Sequence, residues 1–218
     1  MNAYVSPSLI TETTCYTCAK SEPTLLLAVS GSHEYEVFSS YIINVFRETY
    51  SAEIHVTYPL LMGLVDAEGQ PLAALGIRHA AGGQRLFLEN YLGQSVESYL
   101  RLANGQCVER ENIAEVGNLA SSGKANILLL LYSMTCFLNH KEISHILYTG
   151  TSALNRYLRN LGLNPSELTD ADPALLGADA GKWGTYYATH PKVMVGCVAH
   201  RLKVLPRVAT INGLGAQR

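Results

Sequence analysis

The chain has 218 residues, 48% of them apolar and 16% charged, with a formal net charge of −2. That length fits one domain with a substantial buried core, and a near-neutral balance gives no basic surface for a nucleic-acid partner. The longest apolar run, Ile127–Leu131 extended loosely to Leu138, is shorter than the roughly 20 residues of a bilayer span, so membrane insertion is not expected.

Residues 1–33 are rich in Ser and Thr and read as a partly ordered N-terminal extension, with an added strand around TLLLAVS, 24–30. The start has no basic segment or long apolar core of a secretory signal. Five cysteines without framework spacing fit a reducing compartment, so a soluble cytoplasmic protein is expected. The CYTC pair, Cys15 and Cys18, has metal or redox spacing, but no second pair or ligand-spaced histidine follows it. No metal site is expected.

The domain proper is expected over 34–205. Apolar residues at helical spacing, Val37, Phe38, Tyr41, Ile42, Val45 and Phe46, predict a helix from Glu34 to Tyr50. LLMGLVDAEGQPLAALGIRH, 60–79, is a hairpin, with Gly69 and Pro71 as punctuation. RLFLENYL, 85–92, reads as a strand. SVESYLRLANGQ reads as a short helix capped by Ser95 and stopped by Gly105. ENIAEVGNLAS is a strand in which Gly117 marks a bulge or a close approach. The helix after Gly123 is apolar nearly all round and therefore packed on several sides. A strand at 143–151, a helix capped by Ser152 and closed by Gly162, a loop-like segment 164–192, a last strand over 193–205 and a tail from 206 to 218 complete the order. The pattern is a mixed α/β domain with neither repeats nor low-complexity segments.

Two features point to chemistry. SSGKA places a flexible glycine, two hydroxyls and Lys124 at a helix start, where unpaired amides and the helix dipole hold anions. The alternative is a simple cap by Ser121 or Ser122. Glu115 stands in an apolar strand, where burial raises a carboxylate toward the range of a general base. The alternative there is an ion pair with Arg78 or Arg110. Strand alternation puts Glu115, Gly117 and Leu119 on one face, opposite Val116 and Asn118. Tyr148, Thr149 and Thr151 end a strand where open α/β sheets place ligands. KWGTYY gathers Trp183, Tyr186 and Tyr187 around Gly184, either as core or as a substrate wall. There is neither a GxSxG elbow nor a Walker loop.

RLFLENYLGQSVE, IAEVGNLASS, LYTGTSALNRYLRNLGL, DADPALLG and WGTYYATHPKVMVG together resemble the thermostable hemolysin family, from Tyr35 to Cys197. That family looks like a branch of the GNAT (N-acetyltransferase) superfamily, close to the acyl-homoserine-lactone synthases. The resemblance implies a mixed, mostly antiparallel sheet, splayed in the middle, with helices on both faces. It implies strand amides at Gly117, Asn118 and Leu119 that hold pantetheine and the thioester carbonyl. Ser121, Ser122, Gly123, Lys124 and Ala125 would form the phosphate loop. Gly123 and Ala125 match that loop's last positions, whereas Ala120 stands where Gln or Arg is usual, which leaves room for a one-phosphate carrier-protein donor beside CoA. Arg78 and Glu115 match the synthases' strand Arg and Glu, and Asn118 stands in place of an Arg.

The expected activity is acyl transfer from acyl-carrier protein or acyl-CoA to a small amine, with no permanently bound cofactor. Glu115 and Arg78 are the expected catalytic pair. Glu89, Tyr148, Thr149, Arg156, Trp183, Tyr186 and Tyr187 are expected to bind substrate. Two alternatives stand beside it. One is S-adenosylmethionine as acceptor, although helix 34–50 lacks the synthases' tryptophan and acidic pattern. The other is a non-enzymatic hemolysin or binding protein, distinguished by a closed cleft beside Gly117.

Overall fold

The computed structural model describes residues 23–83, 85–105 and 107–211, without the side chains of 103–104 and 207–211. Cys15 and Cys18 lie outside them. The strands are β1 Thr24–Val29, β2 Leu60–Val65, β3 Pro71–His79, β4 Ile113–Ser121, β5 His145–Gly150, β6 Ser166–Asp170 and β7 Lys192–Cys197. The helices are α1 His33–Tyr50, α2 Glu89–Leu92, α3 Val96–Asn104, α4 Lys124–His140, α5 Ser152–Asn160 and α6 Val198–Ile211. One seven-stranded sheet runs in the order β1-β2-β3-β4-β5-β7-β6. Every neighbouring pair is antiparallel except β4 and β5.

Alternation in β2 and β3 builds a core on each face. Met62, Leu64, Ala73, Leu75 and Ile77 point toward α4, packing with Leu128, Leu131 and Met134. Leu61, Val65 and Ala74 point toward α1, whose Tyr35, Phe38, Ile42 and Phe46 recur at helical spacing. Burial of such a stripe stabilises by about 1.5–3 kcal/mol per large apolar side chain. Gly63 and Gly76 leave room for the rings: an added Cβ would come within 2.3 Å of Phe38 and of Tyr58 respectively. Ser32 caps α1 through the Tyr35 amide, and Ser51 closes it with φ 52°. The β2–β3 turn is tied by Asp66, which accepts from the Glu68 and Gln70 amides.

The predicted helix over 34–50, the 60–79 hairpin, β4, α4 and β5 are all present. Five local expectations differ. Residues 85–92 form no strand but a bend leading into α2, because side chains take their amides: Glu89 takes Leu86, and Glu115 takes Phe87 and Leu88. The final strand stops at Cys197 and α6 runs on through Ile211; Val198, Arg201 and Leu205 are buried at helical spacing. The 164–192 segment contains β6, a polar edge strand on β7. Thr151, not Ser152, caps α5 through the Leu154 amide. Ser95 stands at the N-cap of α3 without capping it by its side chain, and the Val96 amide goes to Glu89 instead.

Candidate functional site

β4 and β5 pair only from Ile113–His145 to Glu115–Leu147. Beyond that point the strands diverge, and the β4 edge facing β5 has no ladder. On its other edge, Gly76 pairs with Gly117 and Ala74 with Ala120, so Leu75 faces both Asn118 and Leu119. This is a β-bulge, with Asn118 in the left-handed region at φ 53°, a conformation Asn tolerates better than most residues. The bulge breaks the expected alternation. Glu115 and Gly117 face the α1 side, but Leu119 packs with Ala114 and Val116 in the α4-side core, and Ala120 returns to the α1 side.

The gap opens into a cavity of 390 Å³ that crosses the sheet. On the α1 side its walls are Phe46, Tyr50, Tyr58, Phe87, Trp183 and Tyr186, with Glu115 beside them. Trp183 and Tyr186 therefore serve as both core and wall; their ring centroids lie 5.3 Å apart, and Trp183 lies 5.7 Å from Phe87. The KWGTYY loop is held against α1 by the Thr185 amide, which donates to Tyr50 O at 2.8 Å. At Gly184, with φ 53°, an added Cβ would lie 2.1 Å from that carbonyl. On the α4 side the walls are Lys124, Ile127, Leu131 and Met134, one face of α4, opposite Leu154, Tyr157 and Leu158 of α5.

Glu115 is 2% exposed. Its Oε2 accepts from Arg78 Nη1 at 3.3 Å and from the Phe87 amide at 3.0 Å; among the described residues its Oε1 accepts only from the Leu88 amide, at 2.9 Å. A carboxylate oxygen has two acceptor positions, so Oε1 keeps one open. Burial raises the Glu115 carboxyl above its ordinary value; the two amides and the Arg78 charge oppose it without cancelling it. Of the two arginines offered by the sequence, Arg78 is the partner. Arg78 also donates to Thr57 O at 2.8 Å and stacks 5.0 Å from the Tyr58 ring centroid.

Arg110 belongs elsewhere. It pairs with Glu89 at 2.6 Å and Glu97 at 2.7 Å. Glu89, 4% exposed, also binds the Leu86 and Val96 amides. Burial raises its carboxyl, but Arg110 and these amides outweigh that and hold it below its ordinary value. Glu89 does not line the cavity; its oxygens tie the 85–88 bend to α3, a structural post rather than the expected substrate contact.

The helix start is open. No side chain among the described residues caps α4. Ser121 Oγ bonds Gly123 on both sides, accepting from its amide and donating to its carbonyl, while Ser122 Oγ donates to Leu72 O. Neither serine caps α4. Ser121 and Lys124 line the cavity, as do Gly117, Asn118 and Leu119; Ser122, Gly123 and Ala125 do not. Tyr148 and Thr149 line it, whereas Tyr187 reaches it indirectly through its hydroxyl contact with Tyr91 at 2.5 Å. Arg156 is exposed on α5, next to Tyr157, whose hydroxyl donates to Lys124 O. It does not line the cavity, whose α5 wall includes Leu154, Tyr157 and Leu158.

Sequence reasoning missed Tyr58, Phe87 and Arg201. Tyr58 follows no motif, yet its hydroxyl lies against the bulge: a Cβ on Gly117 would sit 2.1 Å from it. That hydroxyl has no hydrogen-bond partner among the described residues, and burial raises it well above its ordinary value, so it stays protonated. The glycine at 117 was the readable signal of a close approach. No His/Cys/Asp/Glu cluster suited to a metal occurs among the described residues, and none of their helices is long and apolar enough to cross a membrane.

A splayed, mostly antiparallel sheet with a bulged strand leading into an open helix start is the GNAT-like fold. Residues 28–202 match the family model for thermostable hemolysin, and the chain belongs to that family. Among solved structures it is similar to the acyl-homoserine-lactone synthase LasI, at 12% identity, with a TM-score of 0.59 over 84% of this chain and 95% of that one. It is similar to FeeM, an N-acyl amino acid synthase from uncultured soil microbes, at 11% identity and TM-score 0.58, covering 85% and 97%. It is similar to BjaI, a CoA-dependent acyl-homoserine-lactone synthase solved with SAM and isopentyl-CoA, at 10% identity and TM-score 0.60, covering 90% and 93%. A search of curated proteins finds no significant match.

Proposed function

We propose that this protein transfers an acyl group from a phosphopantetheine thioester to an amine. The carrying observation is the open gap beside Gly117, where the β4 edge no longer paired with β5, Tyr58 and Glu115 border one cavity. A non-enzymatic scaffold has no need to keep that gap open.

The donor enters between α4 and α5. Its phosphate sits on the uncapped amides at Lys124 and Ala125, which need no charged side chain to hold an anion. Lys124 in the cavity wall suits either the phosphates of CoA or the acidic surface of a carrier protein. The thioester carbonyl lies against the bulge, where strand amides near Gly117–Leu119 polarise it. The amine nitrogen attacks the carbonyl carbon, the C–N bond forms and the C–S bond breaks. Glu115 Oε1 takes the amine proton, directly or through water. The departing sulfur is met by the Tyr58 hydroxyl, which remains protonated and can donate.

Arg78 acts as a positioning residue, fixing the carboxylate through Oε2. The acceptor wall of Phe46, Tyr50, Phe87, Trp183 and Tyr186 offers aromatic faces, which suit an apolar or cationic amine. S-adenosylmethionine, present with BjaI, is one such cation and stays the alternative acceptor.

The test is thiol release from acyl-CoA and from acyl-carrier protein, with and without a panel of amines, and mass spectrometry of the product. Amine-dependent release that collapses in Glu115→Gln supports the reading. No amine-dependent release from either donor overturns it.

A further inference from the structure

The wall of the cavity carries a buried charge besides Glu115. Arg201, on α6, is 2% exposed and lines the same cavity as Leu131 and Met134 of α4 and Leu158 of α5. Three charged side chains are buried among the described residues: Glu89, Glu115 and Arg201. The two glutamates each hold an arginine and two backbone amides. Arg201 has no such company. Its Nε has no hydrogen-bond partner among the described residues, and no carboxylate there lies within ion-pair distance of its guanidinium.

What surrounds it is Tyr148, ring and hydroxyl, the Cys197 side chain and a bare backbone, with no carboxylate among them. The guanidinium carbon lies 5.8 Å from the Tyr148 ring centroid. It presses on β7 at Gly196, where an added Cβ would come within 2.9 Å of Nη2. Tyr148 is itself turned to Asn155, whose Oδ1 accepts from its hydroxyl at 3.3 Å, while Asn155 Nδ2 donates to Gly150 O. Burial pushes Arg201 below its ordinary value, and the Tyr148 hydroxyl and Cys197 oppose this without cancelling it. Holding a guanidinium in an apolar core with a phenol but no countercharge is unfavourable, and an apolar side chain of the same size would fit better. The arrangement makes sense when an anion arrives from the cavity.

We infer that Arg201 receives a carboxylate within the cavity, so that the acyl group carried by the thioester ends in a carboxylate rather than a methyl. This rests on the acyl-transfer reading for the direction of entry: phosphate at the α4 start, thioester at the bulge, and the acyl chain running between α4 and α5. A planar fork of donors suits a carboxylate, which it can bind through two parallel hydrogen bonds. The apolar face of Ile127, Leu131, Met134 and Leu158 suits the methylenes in between.

The experiment uses the full chain and three pairs of CoA thioesters matched in length: hexanoyl with adipoyl, octanoyl with suberoyl, and decanoyl with sebacoyl. At the best length the carboxylate-ended donor should bind at least about tenfold more tightly than its methyl-ended partner, the scale of one charge-assisted contact. Arg201→Met should abolish or reverse that preference. A preference for the methyl-ended donor at every length in the wild-type protein overturns the inference, whatever the variant does. A second arm uses octanoate without any thioester and follows thermal stabilisation, with octanol as control. Stabilisation by octanoate that disappears in Arg201→Met upholds the anion site even if no thioester is turned over, in which case acyl transfer alone fails. Equal stabilisation of both proteins overturns the site and leaves acyl transfer standing.

Discussion

Arg78 and Glu115 are register partners on β3 and β4, and Nη1 of one meets Oε2 of the other at 3.3 Å. The pair spends only one carboxylate oxygen on the arginine and the Phe87 amide, leaving Oε1 with the Leu88 amide and an open position. Glu115 is therefore both a fastening for the 86–88 bend and a cavity wall. A glutamine there would turn an N–H₂ toward at least one of three converging donors. Glu115→Gln should cost about 1–3 kcal/mol of stability and lower amine-dependent turnover about a hundredfold. Denaturant melts and thiol release on the same preparation check both. Full turnover per folded molecule would reduce Glu115 to a fastening.

The two buried glutamates should give opposite pH slopes. Glu115, raised by burial, binds its proton more tightly in the folded than in the unfolded chain. Its contribution is fully present below the unfolded carboxylate value of about 4.3 and is lost as pH rises through the folded one. For Glu89, burial raises the carboxyl but Arg110 and the amides lower it further, so the reverse holds. Its contribution is present above the unfolded value and lost as pH falls through the folded one. The stability difference between wild type and Glu115→Gln should shrink from acid to neutral pH, while that for Glu89→Gln should grow. Melts across that range that show slopes of the same sign would contradict the assignment.

Gly117→Ala drives a Cβ to 2.1 Å from the Tyr58 hydroxyl oxygen and 2.8 Å from its Cζ. Overpacking of this kind costs about 1–3 kcal/mol. Adding Tyr58→Phe removes the nearest atom and should recover part of that stability. Turnover should not recover with it, because the hydroxyl at the bulge is gone. Recovered turnover in the double variant would show that the hydroxyl takes no part in the reaction.

Gly123→Val tests the helix start. Gly123 has extended backbone at φ −174°, and the nearest atom to an added Cβ is Asn126 Nδ2 at 4.0 Å. The fold should change by less than about 0.5 kcal/mol. A branched side chain beside the open amides should weaken donor binding roughly tenfold, one charge-assisted contact. Unchanged affinity for both acyl-CoA and acyl-carrier protein, measured by calorimetry, would remove the phosphate from this turn.

The family name invites a membrane assay. α4, the most apolar helix, is packed against β2, β3, β4 and α6 rather than presented outward, and no described helix is long and apolar enough to cross a bilayer. The purified protein should leave dye-loaded lipid vesicles intact at submicromolar concentration. Dye release without any thioester or amine present would favour a direct lytic role.

The sequence by itself determined the elements whose signal is local. Helical spacing marked α1, the Asp-Ala-Glu-Gly-Gln-Pro turn marked the β2–β3 hairpin, and an apolar strand followed by Ser-Ser-Gly marked β4 and α4. Glu115 stood out because an acid in an apolar strand is costly anywhere, and Gly117 because a strand glycine signals close approach. Only the tertiary structure decided the partners. The side switch after Gly117 comes from Asn118 at φ 53°, which strict alternation does not foresee. The 85–92 segment bends because Glu115, many residues later, claims its amides. Glu89 and Arg110 found each other, as did Arg78 and Glu115, by strand register and helix placement, not by spacing. Arg201 falls in a run read as strand; it is a buried cation without a carboxylate partner only because that run forms α6, packed against α4. Charge and periodicity are properties of a segment, but desolvation and pairing belong to the neighbours that folding brings to it.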